Sequence, residues 1–531
     1  MPSATKSLIA AQLLVTAGAV CSAADPATAL QLRPVAAKPS ASSLPAHWQQ
    51  GTFIEIFVRG YQDSDGDGIG DLRGLTQRLD YLKELGVTGI WLMPVTASAD
   101  HDHGYATSDY RAVEPAYGTL ADLDELLTQA HARGIGVIAD YVINHAARAH
   151  PLFQLAAQGP QAPYRDWFVW QDPAPTGWDI WGKNPWTTTS GGSYFATFGP
   201  HMPDFNLKNP AVVDYHLSSL RFWLNRGFDG FRLDAVPHLI ENDAVRWNDQ
   251  PESRRLSKRL QELIKRYPRR HVVCEATANP KVYARPEVCG SAFAFGLEQQ
   301  VIKAARGETE AIKAVAEYFK TAPPTMATML SNHDIFAGGR VWDQLQGDEA
   351  RYKLAAATYL LQPGTPFIYY GEEIGMAGIP GLPGDEPLRA PMSWQADISG
   401  FSASSQPFRP LAPNAASHNA QAQAADPGSI LNFYKTMLAL RKTRPSIARG
   451  GYEAALADGQ AMVFQRRLGR ERSLVAINYG DGERSLNVPG LAAGAALSGL
   501  YPAATEPLQA DAGGRLTMKL APLSVLVFNI Q

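Results

Sequence analysis

The sequence predicts an α/β chain. It reads as a (β/α)8 TIM barrel, with a subdomain inserted after the third strand and an antiparallel β domain following the barrel. Three observations predict this. From Gly51 onward one unit recurs: amphipathic helix, glycine, short apolar strand. Helices alternating with continuous apolar strands mean a parallel sheet covered on both faces. About eight such strands over roughly 390 residues favour a closed barrel over an open sheet. After about Gly450 the rhythm changes to short alternating segments, Ala461–Gln465, Ser473–Asn478 and Ser524–Asn529, which read as antiparallel strands.

Each element has its own signal. Residues 1–24 read as a signal peptide: Lys6 supplies the positive charge, Leu8 to Val20 the apolar core, and Ser22-Ala23-Ala24 the cleavage site. Bulky Val20 weakens a lipoprotein reading of Cys21. An Ala/Pro/Ser-rich stretch, 25–46, is the linker. The first part of the barrel spans 47–144. In it Leu75, Leu79, Leu82 and Leu85 make a helical stripe closed by Gly86, and the strand Gly89–Pro94 follows. Thr119 and Asp122 form a capping box for the next helix, and Gly136–Asp140 is the third strand. Residues 145–206, rich in Trp, Pro, Gly and Thr, are too long for a loop and form the inserted subdomain. The barrel resumes over 207–448, where Asn209-Pro210 opens a helix that leads to the strand Gly230–Asp234. Further strands fall at His271–Glu275, Ala292–Ala294, Thr328–Ser331 and Pro366–Tyr370, and a β-sandwich domain occupies 449–531.

Composition narrows the function. A net charge of −3 on 531 residues, without Lys/Arg blocks, argues against nucleic acid as a partner. No apolar run after the N-terminus approaches the ~18 residues of a membrane span. The chain is expected to be secreted or periplasmic, and monomeric. Cleavage of the signal leaves Cys274 and Cys289, which an oxidising compartment allows to pair, although spacing does not distinguish a bridge from two buried thiols.

The chemistry sits at the predicted strand ends, where such barrels build their sites. Those ends read Asp140 with Asn144-His145, Arg232 with Asp234, Glu275, and Asn332-His333-Asp334. Arg232 and Asp234, two apart on a strand, project to one side, and the guanidinium is expected to depress the carboxyl pKa. That pair alone suits an ion pair as well as a nucleophile. Acids at the ends of several strands, with two histidines and an arginine, aim at one mouth, and this convergence favours catalysis. One ionised and one neutral carboxylate is what glycosidic cleavage requires. Asp234 suits the nucleophile. Glu275, flanked by Val273, Cys274 and Ala276, suits a general acid with a raised pKa. A separation of about 5–5.5 Å would imply retention of configuration.

The motifs DYVINH, GFRLDAVPHL, EATA and LSNHD, with MPDFN before the second, resemble in order the signature regions of the α-amylase superfamily, glycoside hydrolase family thirteen. The resemblance runs from about residue 50 to the end. It implies Asp234 as nucleophile, Glu275 as acid/base and Asp334 as transition-state stabiliser. It also implies that Tyr105, His145, Arg232 and His333 line the sugar subsite next to the cleaved bond. The acidic loop Asp63, Asp65, Asp67, Ile69 and Asp71 begins like an EF-hand, but Gly74 holds the twelfth position, so it is not one. It resembles the calcium loop that follows the first strand in many family members. A second calcium would fall to Asn144, Asp204 and the backbone of His238, groups that serve as plain hydrogen-bond partners in relatives without that ion.

The resemblance leaves the substrate less defined. Ala235 after the nucleophile favours α-1,4 bonds over α-1,6, so α-amylase-type hydrolysis of an α-glucan or maltooligosaccharide is the first expectation. Pro237 departs from the basic residue of many α-amylases. Asp102, three before Tyr105, resembles the aspartate with which exo-acting α-glucosidases grip a non-reducing end, often with an arginine such as Arg389. The alternative is therefore an α-glucosidase or glucosyl-transferring enzyme, including a trehalose-forming isomerase suggested by the DAVP run. A non-catalytic carbohydrate-binding relative is set aside because all three acids remain.

Overall fold

A computed structural model describes residues 32–404 and 406–531. The signal-peptide reading, Cys21 and the start of the linker lie outside the described residues. Eight parallel strands close into a barrel in which every strand pairs with its neighbours in sequence. They are β1 (Phe53–Ile56), β2 (Gly89–Leu92), β3 (Gly136–Tyr141), β4 (Gly230–Leu233), β5 (His271–Cys274), β6 (Ala292–Phe293), β7 (Met326–Thr328) and β8 (Thr365–Tyr369).

The glycines of the recurrent unit have a packing reason. A Cβ on Gly89 would lie 2.4 Å from the Phe53 ring, and one on Gly136 would lie 2.3 Å from Trp48. Both strands start at the narrow lower end of the barrel, where aromatic side chains fill the lumen. Trp48, Phe53, Trp91, Ile138, Val273, Phe293 and Phe367 form that inner core. Residues of the other parity, such as Ile54, Ile90, Val137 and Phe231, pack outward beneath the helices.

One expectation is corrected. The seventh strand is Met326–Thr328, not Thr328–Ser331. It pairs with Ala292 and Phe293 of β6 through Met326 and Ala327, and with Thr365 and Pro366 of β8 through Ala327 and Thr328, and no further. Leu330 and Ser331 therefore belong to the loop that carries Asn332-His333-Asp334 into the mouth.

Between β3 and β4 the insertion holds a three-stranded antiparallel sheet of Trp170–Gln171, Gly192–Phe195 and Trp186–Thr189. A bridge between His145 and Asp204 fastens both its ends to the barrel rim. Beyond the barrel, six antiparallel strands form a sheet covered on one side by the pair Arg484–Asn487 and Thr517–Leu520. Met462, Phe464, Val475 and Ile477 face the barrel core, while Val463, Leu474, Ala476 and Phe528 face the covering pair. The period-two alternation thus serves two interfaces. Among the described residues no helix is long and apolar enough to cross a membrane.

Cys274 and Cys289 are disulfide-bonded. The chain leaves β5, turns through a short helix at Pro280–Tyr283 and brings the two Cα atoms to 6.3 Å, which decides what spacing left open.

Candidate active site

The upper end of the barrel lumen is charged where the lower end is aromatic. Arg232, 1% exposed, stands at its centre. Its Nη1 contacts Asp140 Oδ1 at 2.9 Å and Asp234 Oδ1, and its Nη2 lies 2.9 Å from Glu275 Oε2. Register explains the juxtaposition: Arg232 pairs with Asp140 across β3–β4, and Leu233 pairs with Cys274 across β4–β5. Asp234 and Glu275 are the next residues on adjacent strands. Neighbouring strands run about 4.8 Å apart, so the two carboxylates stand side by side at the mouth.

Ala235, next along the chain, adopts a left-handed conformation (φ 49°). There its N–H donates to Glu275 Oε2 at 2.8 Å. Tyr105 Oη donates to Asp140 Oδ2 at 2.8 Å, and its ring stacks on His333 with centroids 5.2 Å apart. The loop that carries Tyr105 is organised by Asp100, whose carboxylate accepts from the N–H groups of Asp102, Gly104 and Ala106.

Electrostatics separates the acids. Burial pushes Glu275 up to about 7, with Arg232 opposing and Asp234 and Asp334 adding to the rise. Burial also raises Asp234, and here the expectation of a depressed carboxyl is corrected. Arg232 does pull it down, but the same guanidinium is shared with Asp140 and Glu275, so one cation faces three carboxylates. Burial would raise Asp334 too, yet His333, Arg389 and Arg232 overcome it and hold this acid far below the usual carboxylate range. Burial drives His145 down to about 3, so its ring is neutral.

These groups open into a cavity of about 680 Å³. Tyr105, His145, Asp234, Glu275, Asp334 and Arg389 are among its lining residues, and Arg232 lies just beneath them. At one end Asp334 stands beside Arg389 (3.6 Å), and Arg389 reaches Asp102 at 3.0 Å. Arg409 grips the other oxygen of Asp102 at 2.8 Å. Part of the rim is apolar and open: Trp181 is 60% exposed, Phe336 51% and Ile335 50%.

The remaining residues singled out by sequence lie in two further places. In the loop after β1, Asp63, Asp65 and Asp71 bring ligand oxygens within 4.8 Å of one another. Asp67 accepts from the Ile69 N–H at 2.7 Å in the same turn. Asn144 donates to Asp204 at 3.1 Å, and Thr197 adds its N–H and its hydroxyl to the same carboxylate. The ring of the buried His238 stacks on Trp247. Several site residues escape the sequence reading. Glu55 is the one whose signal is visible, as an acid inside the apolar run of β1. Arg409, Asp385 and the rim aromatics Phe198 and Phe336 lie where no pattern marks them.

A closed barrel with a buried carboxylate pair at the upper ends of adjacent strands, opening into a pocket, is the architecture of a glycoside hydrolase. The comparisons with known proteins agree. Residues 55–450 match the family model described as alpha amylase, catalytic domain. The chain is 33% identical to the trehalose synthase/amylase TreS of Mycobacterium tuberculosis, over 78% of each chain. It is also 33% identical to alpha-amylase 3 of Dictyoglomus thermophilum, over 83% of this chain and 87% of that one. The solved trehalulose synthase MutB of Pseudomonas mesoacidophila superposes with a TM-score of 0.80 at 25% identity, covering 92% of this chain and all of the other. The chain belongs to the α-amylase catalytic-domain family.

Proposed function

We propose that this enzyme removes single glucosyl units from the non-reducing end of an α-1,4-linked maltooligosaccharide or an α-linked disaccharide. It passes each unit to water or to a second sugar, with retention. The observation that carries this reading is the Asp102–Arg389–Arg409 network. It sets a wall of paired charge just past Asp334, where an internal cleavage site would need an open path for the rest of the chain. It favours the exo-acting alternative over α-amylase-type cleavage within a polymer.

The residues divide the work. Protonated Glu275 delivers its proton to the glycosidic oxygen as an Asp234 oxygen bonds to the anomeric carbon and the leaving sugar departs. Ionised Asp334 stabilises the positive charge that develops on the sugar ring. Glu275, now a carboxylate, takes a proton from water or an acceptor hydroxyl. The oxygen of that acceptor attacks the anomeric carbon and frees Asp234. Tyr105 and His145 hold the glucosyl ring over Arg232, while His333, fully buried, supports Tyr105 and Asp334 from behind. The apolar rim of Trp181, Phe336 and Ile335 suits the C–H face of an acceptor sugar, which supports transfer beside hydrolysis.

Product profiles over time on soluble starch, maltose and an end-blocked maltooligosaccharide test the reading. Maltose should be consumed with release of glucose or a rearranged disaccharide, and the blocked substrate should resist. Rapid cleavage of the blocked substrate would overturn exo action.

Calcium is proposed for the loop after β1. Three carboxylates share one place there, and burial with the fields of Asp67, Asp71 and Asp63 raises Asp65, a crowding that a hard cation relieves. The ion would brace the turn through Asp63, Asp65, Asp67, Asp71 and the Ile69 backbone, with a structural effect only. EDTA should lower the melting temperature, and calcium should restore it; calcium near 100 times its Kd adds about 2.7 kcal/mol. An unchanged melting curve would remove the ion from this account. At Asp204 the carboxylate accepts from Asn144 and Thr197, and among the described residues no cluster of three ligating groups forms there, so no ion is assigned. The disulfide supports export to an oxidising compartment, which the N-terminal signal reading also favours.

A further inference from the structure

β1 carries one acid in an apolar run, Phe53-Ile54-Glu55-Ile56. Glu55 has the inward parity of Phe53 and is 1% exposed. Its Oε1 lies 2.5 Å from Nδ1 of His333, a ring with no exposed surface. On the far side of that ring, Nε2 lies 2.8 Å from the Tyr105 hydroxyl and 3.1 Å from Asp334 Oδ2. Tyr105 has a single hydroxyl proton and gives it to Asp140. Its oxygen is therefore left to accept from Nε2. Each ring nitrogen thus faces an acceptor, with a carboxylate on either side.

The charged and titratable groups around His333 come from every element packed on it. Glu55 stands on β1, Asp140 on β3, Asp334 on its own loop and Tyr105 on the loop after β2, while Arg389 donates to the His333 carbonyl at 3.2 Å. Arg232 lies 5.5 Å from the Tyr105 ring. A neutral imidazole has one N–H: on Nε2 it would leave Glu55 buried without its donor, and on Nδ1 it would set a bare Nε2 lone pair against the Tyr105 oxygen and Asp334, and either is costly.

We propose that Glu55 is a positioning residue that holds His333 as an imidazolium, and that this cation keeps Asp334 ionised and aimed into the sugar pocket. Burial alone would discharge the ring, but Asp334 and Glu55 outweigh it and push His333 up to about 10. The resulting chain alternates in sign from the barrel wall to the pocket end: Glu55, His333, Asp334, Arg389, Asp102, Arg409. The effect on turnover rests on the glycosidase reading above; the protonation state does not.

The test is nitrogen NMR of 15N-histidine-labelled protein at pH 8, with His333→Gln to assign the ring. Wild type should show both His333 nitrogens protonated. Glu55→Gln, which keeps the shape but not the charge, should show one nitrogen unprotonated. Its kcat should fall by about 100-fold with KM little changed, the scale of a misplaced catalytic group. Glu55→Asp should recover part of both signals. A neutral His333 ring in wild type would overturn the proposal, and that spectrum decides even if Glu55→Gln fails to fold. An unchanged ring in folded Glu55→Gln would overturn it as well. An imidazolium that Glu55→Gln loses, in a protein with no turnover of any α-glucoside, would uphold the proposal and sink the glycosidase reading instead.

Discussion

The two ends of β4 carry the same kind of residue in different settings. Asp229, just before the strand, is 1% exposed and contacts His131 Nε2 at 2.6 Å, the Val137 N–H at 3.0 Å and Arg270 at 3.4 Å. Asp234, just after it, is 5% exposed and contacts Arg232. Both are buried aspartates beside an arginine. At the lower end the partners close around the carboxylate and face helices and strands, so the charge fastens β3, β4 and the preceding helix together. At the upper end the guanidinium is shared among three acids and the free side of the carboxylate faces a cavity. An ion pair becomes a site when its cation is oversubscribed and one face is left open.

The sharpest way to break this contrast is to neutralise each aspartate. Asp234→Asn should lower kcat at least about 10⁴-fold with an unchanged melting temperature, since the nucleophile is lost and the shape is kept. Substantial activity in that variant would remove Asp234 from the chemistry. Asp229→Ala should do the reverse: a cost of about 3–5 kcal/mol, because Arg270 is left buried without its partner. It should show as a lower melting temperature at nearly normal kcat. If Asp229→Ala instead kept its stability and lost turnover, the two ends would not differ as described.

A subtler test is the pH profile of kcat/KM. Glu275 must be protonated to act, and with burial pushing it up to about 7, activity should fall as pH rises through that value. Asp234 must be ionised, and burial raises it, so activity should also fall with acidification before the ordinary aspartate range near about 4 is reached. The two limbs belong to a coupled set of acids rather than to single residues. A profile flat on the alkaline side to pH 9 would show that Glu275 is not the acid.

How much of this is legible in sequence depends on whether a residue stands on a regular element. Asp140, Asp234 and Glu275 each follow an apolar run directly, so strand parity and chain order place them at one mouth. Glu55 obeys the same parity, but an acid inside a strand has no visible partner until β1 and the loop after β7 close on each other. Arg409 lies in an irregular stretch more than 300 residues from Asp102, and no periodicity links them. The seventh strand shows the same limit: its apolar run extends past Thr328, whose partner Pro366 on β8 is the last of the ladder, and no local signal marks that end.

The sequence by itself determined the alternating helix–strand order, the antiparallel C-terminal domain, the insertion after the third strand and the acids at the strand ends. These are local consequences of apolar periodicity, caps and glycines. The tertiary structure decided how the charges are shared. Arg232 serves three carboxylates because register puts β3, β4 and β5 side by side, and burial raises Asp234 against the pull of that shared cation. Arg409 joins Asp102, Glu55 meets His333, and Cys274 meets Cys289 only when the barrel closes. Electrostatic energy depends on distance through space and on burial, and neither is written in the spacing of residues along the chain.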